Sequence, residues 1–167
     1  VGLALLVLLA APASGDSRRA MGVASTTALA TVALVLGLAW WLGMVRPDLK
    51  WNLPLALFLP VNLLLTCVAE EALFRLLVQD ALAGRFAAPS VRPTAGHAAL
   101  AVLLSAALFG LAHLAGGPRM ALLAGLTGLG AALAYAVTGR LGPAVLVHFA
   151  VNAVHALAFT YPALSGR

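Results

Sequence analysis

Val61-Asn-Leu-Leu-Leu-Thr-Cys-Val-Ala-Glu70-Glu71-Ala-Leu-Phe-Arg75-Leu-Leu-Val-Gln79 sets two adjacent carboxylates inside an apolar run. The stretch contains no proline or glycine and reads as one helix embedded in a membrane. Residues four apart share a helix face, so Glu71 meets Arg75 and Arg75 meets Gln79. Glu70 is turned away by about 100°, onto the line of Asn62 and Thr66. A charge at the centre of a membrane helix costs roughly 2.5–3.5 kcal/mol even on a lenient insertion scale. Glu71 has a counter-charge one turn away, and a structural ion pair accounts for it. Glu70 has none, which marks it as functional.

Composition fits an embedded helix. Of 167 residues, 63% are hydrophobic and 9% charged, and mean hydropathy is +1.04. Soluble domains are about 45–50% apolar and about 25% charged. The fold class is therefore all-α, a polytopic transmembrane helix bundle. The net charge of +5 does not call for nucleic acid, because Lys and Arg beside membrane spans meet anionic lipid. Membrane lipid is the expected surrounding partner. The single cysteine, Cys67, excludes an internal disulfide and reads as a small buried apolar residue.

Working outward, Met21 to Val45 carries no charge and includes Trp40 and Trp41, aromatics suited to a membrane–water boundary. Arg46 to Lys50 is a loop. Trp51 to Ala83 is too long for one span; Pro54 and Pro60 suggest an interfacial lead-in, followed by a membrane helix from about Val61 to Val78. Gly84 to Gly96 reads as a loop punctuated by Arg85, Pro89, Arg92 and Pro93. Three further spans follow, His97 to Ala115, Met120 to Thr138 and Ala144 to Tyr161, separated at Gly116-Gly117-Pro118 and Gly139 to Pro143. Ala124, Gly128, Ala132 and Ala136 form a stripe that lets a neighbouring helix approach. Residues 1–20 read as a truncated or remnant apolar segment with a polar break from Ser14 to Ala20, and 21–167 as the bundle, giving five to six spans. Basic residues divide five against four between the two sides, so they assign no orientation.

Polar groups inside the other spans complete a set. His113 ends Phe109-Gly-Leu-Ala-His113, and His148, Asn152 and His155 share one face of the last span. With Glu70 they come from three separate helices, and converging ionisable side chains in a bundle mark a site or a pathway. His155 lies nearly two turns beyond His148 and is secondary; His97 opens its span and is given no role. Segment midpoints leave His113 and His148 apart in depth by roughly 16 Å at 1.5 Å per residue.

A carboxylate, two imidazoles and a carboxamide in a dry cavity suit amide hydrolysis by water. Glu70 can take the proton from water, with His113 orienting that water or protonating the leaving group. His148 and Asn152 can hydrogen-bond the oxyanion. The same residue types, Glu70, His113 and His148, can instead hold a zinc ion with water in the open position. A proton-coupled transporter would use them as protonation sites, although its usual repeated halves are not visible in the sequence. No Gly-x-Ser-x-Gly element supplies a serine nucleophile.

Glu70-Glu71-Ala-Leu-Phe-Arg75, Phe109-Gly-Leu-Ala-His113 and His148-Phe-Ala-Val-Asn152 resemble the three ordered motifs of the CPBP family over about residues 60 to 160. These are the intramembrane proteases of CaaX-prenyl-protease, bacteriocin-processing and abortive-infection type. The resemblance implies a glutamic-type endopeptidase without a required metal, in which Glu70 activates water, Glu71 and Arg75 support the site, and His113 helps hold the water. It also implies that His148 and Asn152 bind the oxyanion. The expected substrate is a peptide or protein cut near the membrane surface in a C-terminal or leader segment. An Ala- and Leu-rich chain of bacterial character, in an inner membrane, points to peptide maturation or release of sorting tails before CaaX substrates.

Overall fold

Asp16 opens the first helix, its Oδ1 accepting the backbone N–H of Arg18 at 2.8 Å. In the computed structural model, which describes residues 16–84 and 94–161, five helices are long and apolar enough to cross a membrane. They are α1 (Ser17–Trp41), α2 (Leu53–Leu82), α3 (Ala95–Ala112), α4 (Pro118–Thr138) and α5 (Leu141–Ala158). Among the described residues the fold is thus an all-α polytopic bundle. The expected remnant before Ser14, the Arg85 to Pro93 part of the predicted loop, and Arg167 lie outside the described residues.

Two helix starts differ from the sequence reading. α1 begins at Ser17, so Arg18 and Arg19 belong to its first turn and not to a polar break. α2 is continuous from Leu53, with no separate lead-in before Val61. Asn52 caps it through Oδ1 to the Leu55 amide at 3.0 Å, and Pro54 sits in the first turn, where a missing N–H costs nothing. Pro60 lies inside the helix. A proline there crowds the carbonyl four residues back, and just past it the hydrogen bonding widens to π-type turns, at Asn62–Cys67 and again at Ala72–Gln79.

α1, α4 and α5 pack on one another, α3 pairs with α4, and α2 fits between α3 and α5. The core is made largely of small residues: Ala28, Ala131, Ala134 and Ala144 close around Tyr135 and Val147. Helices in lipid gain little from hydrophobic transfer, so close van der Waals approach carries their association. The predicted stripe on α4 is buried at Ala124, Gly128 and Ala132, but Ala136 is exposed. A close approach of α3 to α4 lies beside that stripe, where Gly110 faces Ala121 and Gly125. A Cβ on Gly110 would lie 2.7 Å from the Ala121 carbonyl oxygen and 3.1 Å from Gly125 Cα, both backbone atoms that cannot swing aside. Gly110→Ala is expected to destabilise the folded protein by about 1–3 kcal/mol through overpacking. An unchanged thermal midpoint in detergent would contradict this packing.

Residues 46–50, between α1 and α2, pair antiparallel with 157–160 at the end of α5. Thr160 N–H donates to Arg46 O at 2.9 Å, Asp48 N–H to Ala158 O at 2.8 Å, and Lys50 N–H to Leu157 O at 2.9 Å. Tyr161 follows, its ring 5.2 Å from Phe58 and 5.1 Å from His155. His155 hydrogen-bonds the Thr160 carbonyl at 3.1 Å, so it serves this clasp. At the start of α3, Thr94 Oγ1 lies 2.6 Å from His97 Nδ1, so His97 belongs to the helix cap.

Candidate active site

A cavity of about 290 Å³ lies between the helices. α1, the loop after it and α4 give it apolar lining, including Leu36, Val45, Leu123 and Ala124; its polar lining includes Asn62, Thr66, Glu70, His113, His148 and Asn152. The line Asn62, Thr66, Glu70 read from spacing therefore faces one space. His155 and Tyr161 also line it.

His113 caps the C-terminus of α3. Its Nδ1 lies 2.8 Å from the Phe109 carbonyl oxygen. A carbonyl only accepts, so Nδ1 carries a hydrogen, and in the neutral ring Nε2 presents its lone pair. That Nε2 is 4.0 Å from Glu70 Oε2. The Oε2 atom is buried and has no hydrogen-bond partner among the described residues, although the side chain as a whole is 32% exposed. A separation of 4.0 Å is too long for a direct hydrogen bond.

His148 takes a different partner. The sequence reading grouped it with Glu70, but its Nδ1 lies 2.9 Å from Oε1 of Glu71. Oε2 of Glu71 accepts from Arg75 Nε at 2.7 Å, and both side chains of that pair are fully buried. Arg75 Nη1 donates to Gln79 Oε1 at 3.1 Å and to Ser105 Oγ at 3.0 Å, and Ser105 passes its own hydrogen to Phe74 O at 3.1 Å. Gln79 Nε2 donates to Ala132 O at 3.2 Å. Glu71 is thus the junction of a buried network reaching α2, α3, α4 and α5. A carboxylate acceptor fixes the hydrogen on His148 Nδ1, so its Nε2 donates only when the ring is an imidazolium, with Glu71 as counter-ion.

Phe109, 1% exposed, joins the two halves. Its ring stacks on His113 at 4.8 Å, meets the edge of His148 at 5.4 Å, and lies 5.9 Å from Arg75 Cζ. The depth gap expected between the histidines is absent: α3 ends where α5 is at its middle, so the cap of one reaches the face of the other. Gly128 leaves the space, since a Cβ there would be 2.9 Å from Phe109 Cβ.

Asn152 also has its own partner. Its Nδ2 donates to Asn62 Oδ1 at 3.2 Å and lies 3.7 Å from Cys67 Sγ. Sequence reasoning passed over Asn62, Ser105 and the ring of Phe109. Asn62 had a signal, an amide on the line of Glu70; Ser105 had none beyond a lone hydroxyl in an apolar span. Among the described residues no three His, Cys, Asp or Glu side chains are grouped to hold a metal ion.

No curated protein matches the chain, and no solved structure does. A family model does: type II CAAX prenyl endopeptidase, Rce1-like, over residues 51–154. The matched segment runs from the loop before α2 past Asn152, so it contains Glu70, Glu71, Arg75, His113 and His148, and it spans more than half of the chain. The chain belongs to the Rce1-like family of type II CAAX prenyl endopeptidases, and is an integral membrane protease of the CPBP type.

Proposed function

We propose that the protein is a glutamic-type intramembrane endopeptidase whose nucleophile is a water between Glu70 and His113. One observation carries the reading: a glutamate oxygen with no hydrogen-bond partner among the described residues stands 4.0 Å from a histidine nitrogen at the wall of a cavity. In the reaction Glu70 takes a proton from the water as its oxygen bonds the scissile carbonyl carbon. His113 orients that water through Nε2. The oxyanion is met by the imidazolium Nε2–H of His148, balanced by Glu71, and by an N–H of Asn152. Collapse of the tetrahedral intermediate breaks the C–N bond, and Glu70 returns the proton to the leaving amine. Arg75 holds Glu71 in place. The substrate is a peptide or protein tail cut near the membrane surface, in the inner membrane of a bacterium. The family description names prenylated CaaX tails, whereas the chain's composition favours peptide maturation or tail release.

The test is cleavage by the purified protein in detergent of two internally quenched peptides, one farnesylated with a CaaX end and one unprenylated apolar leader. His113→Ala and His148→Ala should each lose most of the wild-type rate, by about 10²-fold or more. No cleavage of either peptide, together with proton-linked uptake in vesicles, would replace the protease reading with a transporter. With no three such donors grouped for a metal among the described residues, phenanthroline is expected to leave the rate unchanged. Inhibition reversed by added zinc would overturn the metal-free mechanism.

A further inference from the structure

We infer that Asn62 is a positioning residue that sets which end of the Asn152 carboxamide faces the reacting carbonyl. The inference rests on the proposed role of Asn152 as an oxyanion donor. Asn62 opens the first wide turn of α2, and the i→i+5 spacing of that turn brings Cys67 over it. Cys67 Sγ donates to Asn62 Oδ1 at 3.3 Å, and Asn152 Nδ2 donates to the same oxygen at 3.2 Å. An amide oxygen has two lone pairs, and both are engaged. Turning Asn62 over alone would set its NH2 group against that of Asn152 and take the oxygen acceptor from the Cys67 thiol. Asn152 must then present nitrogen to it, since its own oxygen would face the oxygen of Asn62.

One Asn152 hydrogen is committed to Asn62. Beside Asn62 Oδ1, the acceptor that Nδ2 meets among the described residues is Cys67 Sγ at 3.7 Å, and sulfur is a weak acceptor. The second hydrogen can be given to an oxyanion at small cost. Without Asn62 the carboxamide is free to rotate and offer Oδ1, an acceptor that repels an oxyanion. Asn62 is buried, at 7% exposed, and lines the same cavity as Glu70. It touches the reaction only through its neighbour.

The experiment is a double-mutant cycle read in kcat and KM, on whichever of the two peptides the wild-type enzyme turns over faster. Asn62→Leu removes the acceptor at similar volume and should lower kcat roughly 10²-fold, the cost of a misplaced catalytic group. KM should hold within about twofold, the pattern of a contact made only in the transition state. Asn62→Asp keeps an acceptor oxygen and should retain a higher kcat than Asn62→Leu. The double variant Asn62→Leu/Asn152→Ala should be no slower than Asn152→Ala alone. If Asn62→Leu does not fold, Asn62→Ala takes its place in the cycle. Additive losses, a change in KM alone, or a wild-type kcat in the Asn62 variant would overturn the positioning role while leaving the site reading intact. A wild-type kcat in Asn152→Ala would instead overturn the oxyanion assignment, and the role of Asn62 with it.

Discussion

Glu70→Gln is expected to lower kcat by about 10²–10⁴-fold, the usual contribution of a positioned general base. The substitution keeps size and shape and removes only the ability to take a proton. Glu70 Oε2 has no hydrogen-bond partner among the described residues, so the change breaks no hydrogen bond of that oxygen there. The folded state should therefore survive, and the variant's thermal midpoint in detergent should match the wild type. The loss should fall on kcat with KM little altered, since the carboxylate acts on water. A variant that keeps even a tenth of the wild-type kcat would assign water activation to another group.

The largest effect on stability is expected at Arg75, not at the residues facing the cavity. Arg75→Met leaves a side chain of similar reach but removes the guanidinium that faces Glu71 at 2.7 Å. Glu71 is 0% exposed and, among the described residues, would be left with the hydrogen bond to His148. Removing one member of a buried pair costs about 3–5 kcal/mol, because the survivor stays desolvated. Gln79 Oε1 and Ser105 Oγ would also lose a donor. Arg75→Met should lower the thermal midpoint more than Glu70→Gln, His113→Ala or Gly110→Ala. Replacing both partners, Glu71→Gln with Arg75→Met, should recover part of the loss, as a buried pair exchanged whole is far less costly than a pair broken. A midpoint for Arg75→Met equal to that of the wild type would show that the pair contributes nothing.

Most of the spans were legible because apolar runs stop at proline, glycine and basic residues, as at Gly117-Pro118 and Gly139-Arg140. The start of α1 was misplaced because hydropathy penalises Arg18 and Arg19, whereas the helix is set by the cap at Asp16. Pro60 was read as a boundary, but the helix continues through it. Within the site, spacing of four was enough to place Glu71 with Arg75, and the line of Glu70 pointed to Asn62 and Thr66. The meeting of His148 with Glu71 was not legible, since spacing along α2 and α5 says nothing of how one helix is rotated against the other. The depth mismatch arose from centring every span at one level; α3 stops short of that pattern, and its end carries His113.

The wide turns of α2 make the count of residues matter more than their kind. Each step along a helix swings the following side chains by about 100°. Deleting a single residue between Asn62 and Cys67 would relax the segment to ordinary α-helical pitch, yet every group beyond it would be swung off its bearing. Glu70 would leave the cavity and Glu71 would leave His148, with the composition of the helix almost untouched. In a library of variants, this stretch should accept apolar exchanges at Leu63 to Leu65 and reject every one-residue indel. Its constraint is one of phase.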